Sequence, residues 1–260
     1  MSVKKRKSKE KKRVSSKDSL DTTMSLGDHL EELRTRLLLA LAGLALALIV
    51  CLFLGKYIIV FIKFPYTKVM GEEARLTVLA PAEVIISYVK ISLISGLIIS
   101  SPWVFYQIWM FVAAGLYPHE RRYIHLAAPF SAALFVTGAL FFIFAVAPLC
   151  LRFLIKFSDM LDLVRNWTLQ YYVSFITHLM LVFGIAFQTP TAIFFLNRTG
   201  LVSLKALSAS RKYAILVIVI VAAMATPPDV VSQIALAIPL YLLFELGIIL
   251  SYIASRREKP

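Results

Sequence analysis

Few residues in this sequence have the types and spacing that catalysis needs. Ser174 and His178 are four residues apart, so on a helix they would share a face and could form a serine–histidine dyad. A nucleophilic serine also needs an activating turn and an oxyanion cradle, and no Gly-x-Ser-x-Gly or similar turn is present. No Walker loop, dinucleotide fingerprint or cysteine–histidine cluster with metal-ligand spacing occurs either. We therefore interpret Ser174 as a helix hydroxyl and His178 as a packed histidine, and expect no enzyme, metal or cofactor.

Two acidic residues are followed by two basic ones in the short amphipathic segment 29–36. Glu31, Glu32, Arg34 and Arg36 are predicted to lie there at a membrane surface, just before a long apolar run. Glu32 and Arg36 have the i, i+4 spacing of a plain helix ion pair, which would contribute only about 0.2–0.5 kcal/mol. From the residues alone, this ordinary pair and a binding site are both open interpretations.

Ionisable residues inside apolar runs are candidates for function, because a bilayer disfavours them. Lys90 falls near the end of a run, where its side chain can reach the surface, so we interpret it as structural. Gln188 and Glu245 are each eight residues before the end of a predicted span, which places them at similar depth. The spacing leaves two alternatives: a polar pair across a helix interface, or two side chains that each face a water-filled cavity.

The elements that must position these residues are membrane spans. The chain is 59% apolar and only 17% charged, against roughly 25% charged in soluble domains, and its apolar residues come in blocks. We predict an all-α integral membrane protein with six transmembrane helices. The spans are predicted at 37–54, from just after Pro81 to about 108, and at 125–151, 171–196, 213–225 and 230–253.

Three features make these spans irregular. The segment after residue 54, which contains Pro65, is too polar to cross, and Pro102 should kink or break the second span. The fifth and sixth spans are predicted to be short. At 13 residues the fifth spans about 20 Å against a hydrocarbon core of about 30 Å. It would have to recruit 208–212 by snorkelling or thin the bilayer, and a re-entrant hairpin is the alternative.

The charge distribution orients the chain. The formal net charge is +13, and nine basic residues lie between Lys4 and Lys17. Since no aromatic side chains accompany them, we interpret residues 1–23 as a disordered tail near anionic lipid headgroups, not as a nucleic-acid arm. Domain boundaries are predicted at 1–23 for the tail, 24–253 for the membrane domain and 254–260 for a C-terminal tail. The excess of basic residues places both termini in the cytoplasm.

Two cysteines, Cys51 and Cys150, lie within apolar runs. We interpret both as small packed hydrophobes, with a disulfide between them as the alternative.

Five segments, in order and at family spacing, resemble the TatC family of twin-arginine protein translocases. Those segments are 29–37, 101–111, 116–122, 183–190 and 226–239, and the resemblance covers about residues 25–253. It implies a receptor in the bacterial inner membrane that binds paired-arginine signal peptides of folded precursors. The implied partners are those signal peptides, single-span subunits of the TatA/TatB type, membrane lipids and further copies of the chain within the complex, with no nucleic acid.

The resemblance also implies roles for particular residues. A guanidinium binds a carboxylate through two parallel hydrogen bonds, so a receptor for two arginines wants two fixed acids. Glu120 and Glu32 match the family positions that serve this role, Phe111 matches a position beside the arginine site, and Arg34 belongs to the same set. Pro65, Pro102 and Asp229 match structural or loop positions. Glu120, which two arginines follow, is also compatible with a simple interface loop.

One residue departs from the family pattern, which usually has glutamate where this chain has Gln188. An amide keeps the hydrogen bonding and cannot titrate, so we expect Gln188→Glu to be tolerated. Two other functions stay open from the sequence. A small-solute secondary transporter would need midplane charges, and an intramembrane protease would need the missing nucleophile turn.

Overall fold

The structure is a computed structural model that describes residues 26–71, 75–115, 124–163, 166–225 and 230–256. Within those ranges the chain is helical apart from short connections and one isolated bridge between Thr77 and Thr168. The helices in chain order are α1 Leu26–Met70, α2 Pro81–Ala114, α3 Ile124–Phe141, α4 Ala147–Met160, α5 Leu169–Ala186, α6 Thr189–Arg198, α7 Leu204–Ala209, α8 Arg211–Ala225 and α9 Val230–Arg256. A π-helical segment, Phe142–Val146, joins α3 to α4.

Five helical stretches in the described part of the chain are long and apolar enough to cross a membrane. They are His29–Met70, Pro81–Ala114, Ala127–Met160, Leu169–Arg198 and Gln233–Ser255. The prediction of an all-α membrane protein is therefore confirmed. The predicted fifth span corresponds to α8, whose 15 residues fall below the length of the other five. At about 1.5 Å per residue it is roughly 22 Å long.

Helix α1 is longer than any bilayer requires. Its 45 residues extend over about 68 Å, more than twice the hydrocarbon thickness of about 30 Å. The segment after residue 54, which the sequence placed outside the membrane because of its polar residues, is thus a helical continuation of the span. Pro65 lies inside it and is buried, between Ile62 and Tyr66, which belong to the core.

The second predicted irregularity, at Pro102, does not break its helix. A proline at this position leaves the carbonyl of Ile98, four residues earlier, without its helical N–H partner. The hydroxyl of Ser101 donates to that carbonyl at 2.7 Å, so the freed acceptor is satisfied locally. Helix α2 therefore continues to Ala114.

The predicted fourth span consists of two consecutive helices. Helix α5 ends at Ala186, and α6 begins at Thr189 with Pro190 in its first turn. Because proline has no N–H to give to the carbonyl of Ala186, the ladder stops and restarts there. A similar interruption precedes Pro148, where the π-helical segment absorbs one extra residue.

The core lies where α1, α3, α4 and α5 meet. Phe142, Ile143, Ile176 and Phe183 are fully buried in it. Backbones approach closely at the crossing of α3 and α5, where a Cβ on Gly138 would lie 2.8 Å from the carbonyl oxygen of Phe183. The small residue is what allows the two helices to touch, as in other membrane bundles.

The bundle has two ends, which we name by their acids. The start of α1 and the end of α2 meet at the Glu32 end, where Arg36 contacts Gln107. The starts of α2 and α5 meet at the Glu83 end, where the Glu83 carboxylate contacts the backbone of Gln170. Helix α9 runs back to the Glu32 end and stops at Arg256, three residues beyond the predicted boundary at 253.

Candidate functional site

The acid of α1 is held against α2 at the Glu32 end. Arg36 Nε donates to Glu32 Oε1 at 2.7 Å, and Arg36 Nη1 donates to Gln107 Oε1 at 3.2 Å. The side chains of Arg36 and Glu32 are 24% and 30% exposed, whereas Gln107 is buried. The ion pair that the i, i+4 spacing allowed is therefore formed, and the same guanidinium also bonds to α2.

An aromatic pair closes one side of this site. The rings of His29 and Phe111 stack with centroids 4.6 Å apart and an interplanar angle of 30°. His29 is one turn before Glu32 on α1, and Phe111 is one turn after Gln107 on α2. The stack places Phe111 next to the turn that carries Glu32.

Arg34 does not join this cluster. It is exposed and two residues from Glu32, so it points to another face of α1. Glu31 is exposed as well. Four residues were predicted to take part in recognition: Glu32, Phe111, Arg34 and Glu120. Phe111 packs against His29, one helical turn from Glu32, whereas Arg34 lies on another face of α1. Glu120 lies outside the described residues, as does Asp229.

Gln188 and Glu245 are not a pair, so that interpretation was wrong. Gln188 occupies the N-cap position of α6 without a capping side-chain bond, and its Nε2 donates instead to the carbonyl of Ser131 on α3 at 3.0 Å. Glu245 accepts two bonds from Arg211, Nε to Oε1 at 2.8 Å and Nη2 to Oε2 at 3.0 Å, and a third from the hydroxyl of Tyr241. The partner of Glu245 is thus the first residue of α8, which it ties to α9.

The serine–histidine pair is not a dyad. Ser174 Oγ accepts from the ammonium of Lys90 at 2.9 Å and shares no hydrogen bond with His178. Both cysteines are buried and unbridged, as the packing interpretation expected.

Sequence reasoning missed a buried acid at the other end. Glu83 is only 4% exposed, and its carboxylate accepts from the backbone N–H of Leu79 at 2.8 Å and of Gln170 at 2.6 Å. It thereby joins the connection before α2 to the first turn of α5. The signal was present, because Pro81 in the first turn with an acid two residues later is typical of a helix start.

The connection before α2 is held a second time. The N–H of Thr77 donates to the carbonyl of Trp167 at 3.0 Å, and the N–H of Leu169 donates to the carbonyl of Thr77 at 2.9 Å. These bonds and those of Glu83 fix the loop to the start of α5, which closes the Glu83 end of the bundle.

A membrane-facing cleft lies between α5, α6, α8 and α9. It encloses about 620 Å³ and is lined almost entirely by apolar side chains, among them Val182, Val217 and Phe244. Such a lining suits a hydrophobic ligand or helix.

Long apolar helices with a hydrogen-bonded acid at each end of the bundle define a polytopic α-helical membrane protein. The family model of the Sec-independent protein translocase protein TatC matches residues 28–239. The chain is 39% identical to the TatC protein of Helicobacter pylori strain J99, over 90% of this chain and 91% of that protein. It is 36% identical to that of Aquifex aeolicus, over 91% and 98%. The chain belongs to the TatC family.

Solved structures agree with this assignment. The crystal structure titled as the twin arginine translocase receptor TatC superimposes with a TM-score of 0.77 at 36% identity, covering 87% of this chain and 99% of that one. A second, described as TatC in DDM, gives a TM-score of 0.78 over 86% of this chain.

Proposed function

We propose that this chain is the receptor and core subunit of a twin-arginine translocase, and that Glu32 and Glu120 bind the paired arginines of signal peptides. The observation that carries the proposal is the cluster at the Glu32 end. A half-buried carboxylate is fixed to α2 through Arg36 and Gln107, beside the stacked rings of His29 and Phe111. The segment with Glu120 follows directly after the end of α2 in the sequence.

The contacts of Arg36 suggest how a signal peptide binds. Arg36 uses one oxygen of Glu32 and has a second acceptor in Gln107, so it can stay on Gln107 when an incoming guanidinium takes the carboxylate. The exchange is easy, because an i, i+4 pair is worth only about 0.2–0.5 kcal/mol. The aromatic wall partly shields the new ion pair from water, which strengthens it. Glu120 supplies the carboxylate for the second arginine.

A crosslinking experiment tests this assignment. A twin-arginine precursor with a photo-crosslinker beside its arginines is presented to membranes carrying Glu32→Gln, Glu120→Gln or the control Glu31→Gln. Glu31 is adjacent, exposed and equally charged, so its variant controls for the change in surface charge. We expect strong loss of crosslinks for Glu120→Gln, partial loss for Glu32→Gln and none for Glu31→Gln. Equal crosslinking in all three variants refutes the receptor site.

The topology we propose has six spans, with α8 as the short fifth, and both termini in the cytoplasm of a bacterium whose inner membrane holds the protein. The basic N-terminal residues support this orientation. Their predicted disorder, at residues 1–23, lies outside the described residues. Single cysteines at Leu79 and Lys205 test the orientation, since we expect the first to react with an impermeant reagent from outside and the second only after lysis. The reverse pattern contradicts it.

Export also requires partners. We propose that single-span subunits of the TatA/TatB type and further copies of this chain assemble around it, and that it performs no catalysis itself. The apolar cleft between α5, α8 and α9 supports the proposal, because it gives a hydrophobic helix a concave surface. Affinity purification with and without a twin-arginine precursor tests it. Recovery of the chain without any single-span protein under both conditions refutes it.

A further inference from the structure

A polar patch lies on the membrane-facing side of the bundle near the Glu83 end. The ammonium of Lys90 on α2 donates to Ser174 Oγ on α5 at 2.9 Å. Tyr171 and His178 lie three residues before and four after Ser174, so all three share one face of α5. Tyr171 is 78% exposed and His178 is exposed as well. We call these four residues the Lys90 patch.

The patch offers more donors than the chain satisfies. An ammonium has three N–H donors, and Ser174 accepts one of them. Within the described residues no carboxylate lies within ion-pair distance of Lys90. Glu83, the acid on the same face of α2, is buried and already accepts two backbone N–H groups. The hydroxyl of Ser87, one turn before Lys90, is buried without a hydrogen-bond partner.

The surroundings of the patch are apolar and open. Ile86, Val89 and Leu93 of α2 are 53%, 48% and 44% exposed, so a charged group stands among side chains that suit lipid tails. A cation in this setting is unfavourable unless an anion or water reaches it. An acceptor from outside the chain is therefore what the patch lacks.

The depth of the patch suits a lipid headgroup. Lys90 is nine residues after the start of α2, about 14 Å along the helix. Side chains on a helix lean toward its N-terminus and lysines extend toward the interface, so the ammonium lies nearer the Glu83 end than its Cα does. Ser174, five residues into α5, is about 8 Å from the start of that helix. A headgroup region is about 5–8 Å thick on each side of the hydrocarbon core, so groups this close to the helix starts are within reach of it.

We propose that the Lys90 patch binds the phosphate of an anionic phospholipid in the leaflet at the Glu83 end of the bundle. The ammonium supplies the charge, and the hydroxyls of Ser174 and Tyr171 donate to phosphate oxygens. An exposed tyrosine at this level is typical of the aromatic belt that contacts headgroups. Zwitterionic lipids bind less well, because their own cationic group is repelled by Lys90. The site does not depend on the receptor role of Glu32.

Native mass spectrometry of the purified protein with added phosphatidylglycerol or phosphatidylcholine tests the proposal. Lys90→Met removes the charge and keeps the length, Ser174→Ala removes one hydroxyl, and Lys56→Met is a control that removes an exposed lysine from α1. We expect the intact protein to retain phosphatidylglycerol in preference to phosphatidylcholine. Lys90→Met should weaken the retention of phosphatidylglycerol about fivefold, which is the usual effect of one basic residue near an anionic surface. Ser174→Ala should weaken it less, and Lys56→Met should leave it unchanged.

Several results overturn the proposal. The first is equal retention of the two lipids by the unmodified protein. The second is an equal loss of phosphatidylglycerol retention in Lys90→Met and in Lys56→Met. The third is displacement of phosphatidylglycerol by millimolar inorganic phosphate, which would assign the patch to a free anion. If Lys90→Met does not fold, as judged by thermal unfolding, Ser174→Ala decides alone, and its unchanged retention refutes the site. A photo-crosslinker at Tyr171 that captures a protein instead of a lipid in cells also refutes it.

Discussion

Arg36 competes with the substrate that we assign to Glu32, and this makes a gain of affinity predictable. In the free protein its guanidinium is bonded to the Glu32 carboxylate at 2.7 Å. A signal-peptide arginine must displace it from that oxygen. Arg36→Gln removes the competing charge, while the new amide can still donate to the buried carbonyl of Gln107. The variant should therefore fold and bind twin-arginine peptides more tightly.

The magnitude follows from the geometry. An i, i+4 ion pair that is about a quarter exposed contributes roughly 0.3–0.5 kcal/mol. Its removal should therefore raise the affinity of Glu32 for the peptide arginine about twofold. Taking away a positive charge beside the incoming arginines adds a similar small amount, because like charges in partly hydrated surroundings repel weakly. We expect the dissociation constant to fall by about two- to fivefold, about 0.4–1 kcal/mol at 1.4 kcal/mol per tenfold.

Fluorescence anisotropy of a labelled twin-arginine peptide, with the protein in nanodiscs, measures the change. Lys205→Gln is the matched control, since it removes one exposed positive charge at the Glu32 end, away from the carboxylate. When Glu32 is also replaced by Gln, no carboxylate remains for Arg36 to occupy. The gain in peptide affinity from Arg36→Gln should then be smaller than in the protein that keeps Glu32. Weaker binding by Arg36→Gln, or a gain equal to that of Lys205→Gln, would show that Glu32 is not the acceptor.

Three further predictions concern the stability of the bundle, measured as the midpoint of thermal unfolding in detergent. Glu83→Gln places an amide nitrogen opposite one of the two backbone N–H groups that the carboxylate accepts, and it should lower the midpoint by several degrees. The control Gln170→Ala keeps the backbone N–H that donates to Glu83, so its midpoint should not change. Equal midpoints for the two variants would contradict the role of the carboxylate. Gly138→Ala forces a methyl against the facing carbonyl of α5 and should destabilise by about 1–3 kcal/mol, while Gly115→Ala, with its nearest contact at 3.5 Å, should not. Gln188→Met removes the donor to a carbonyl of α3 and should lower the midpoint. Gln188→Glu should be tolerated, and a loss of export by that variant contradicts this expectation.

The sequence predicts this architecture because bilayer solvation leaves a local signal. Runs of apolar residues of the right length produced the five long helices, and Pro190 marked the interruption between α5 and α6. The pair of Glu32 and Arg36 was also readable, since its partners are one helical turn apart. The continuation of α1 to Met70 was not, because polar residues exclude a segment from hydrocarbon without excluding it from a helix.

The contacts that were missed join residues far apart in the chain. Lys90 and Ser174 are separated by 84 positions, Glu83 and Gln170 by 87, and Arg36 and Gln107 by 71. Each depends on the register between two helices, which local patterns do not encode. The pairing of Gln188 with Glu245 was inferred from their similar depth alone. It was wrong because equal depth does not determine which faces of two helices are in contact.

The register between α1 and α2 also positions the proposed binding site on α1. Only 11% of the most apolar stretch of this helix is buried inside the bundle, so packing alone holds it weakly. Side chains of α2 instead donate to backbone carbonyls of α1 along its length, Trp103 Nε1 to Leu39 at 2.8 Å and the hydroxyl of Tyr88 to Leu52. In hydrocarbon such bonds fix both the rotation and the height of one helix against another, because no water competes for the donors. Together with Arg36 and Gln107, these bonds set the position of the Glu32 carboxylate from about two and more than five turns along α1. A change at Trp103 should therefore affect the proposed arginine site without touching it.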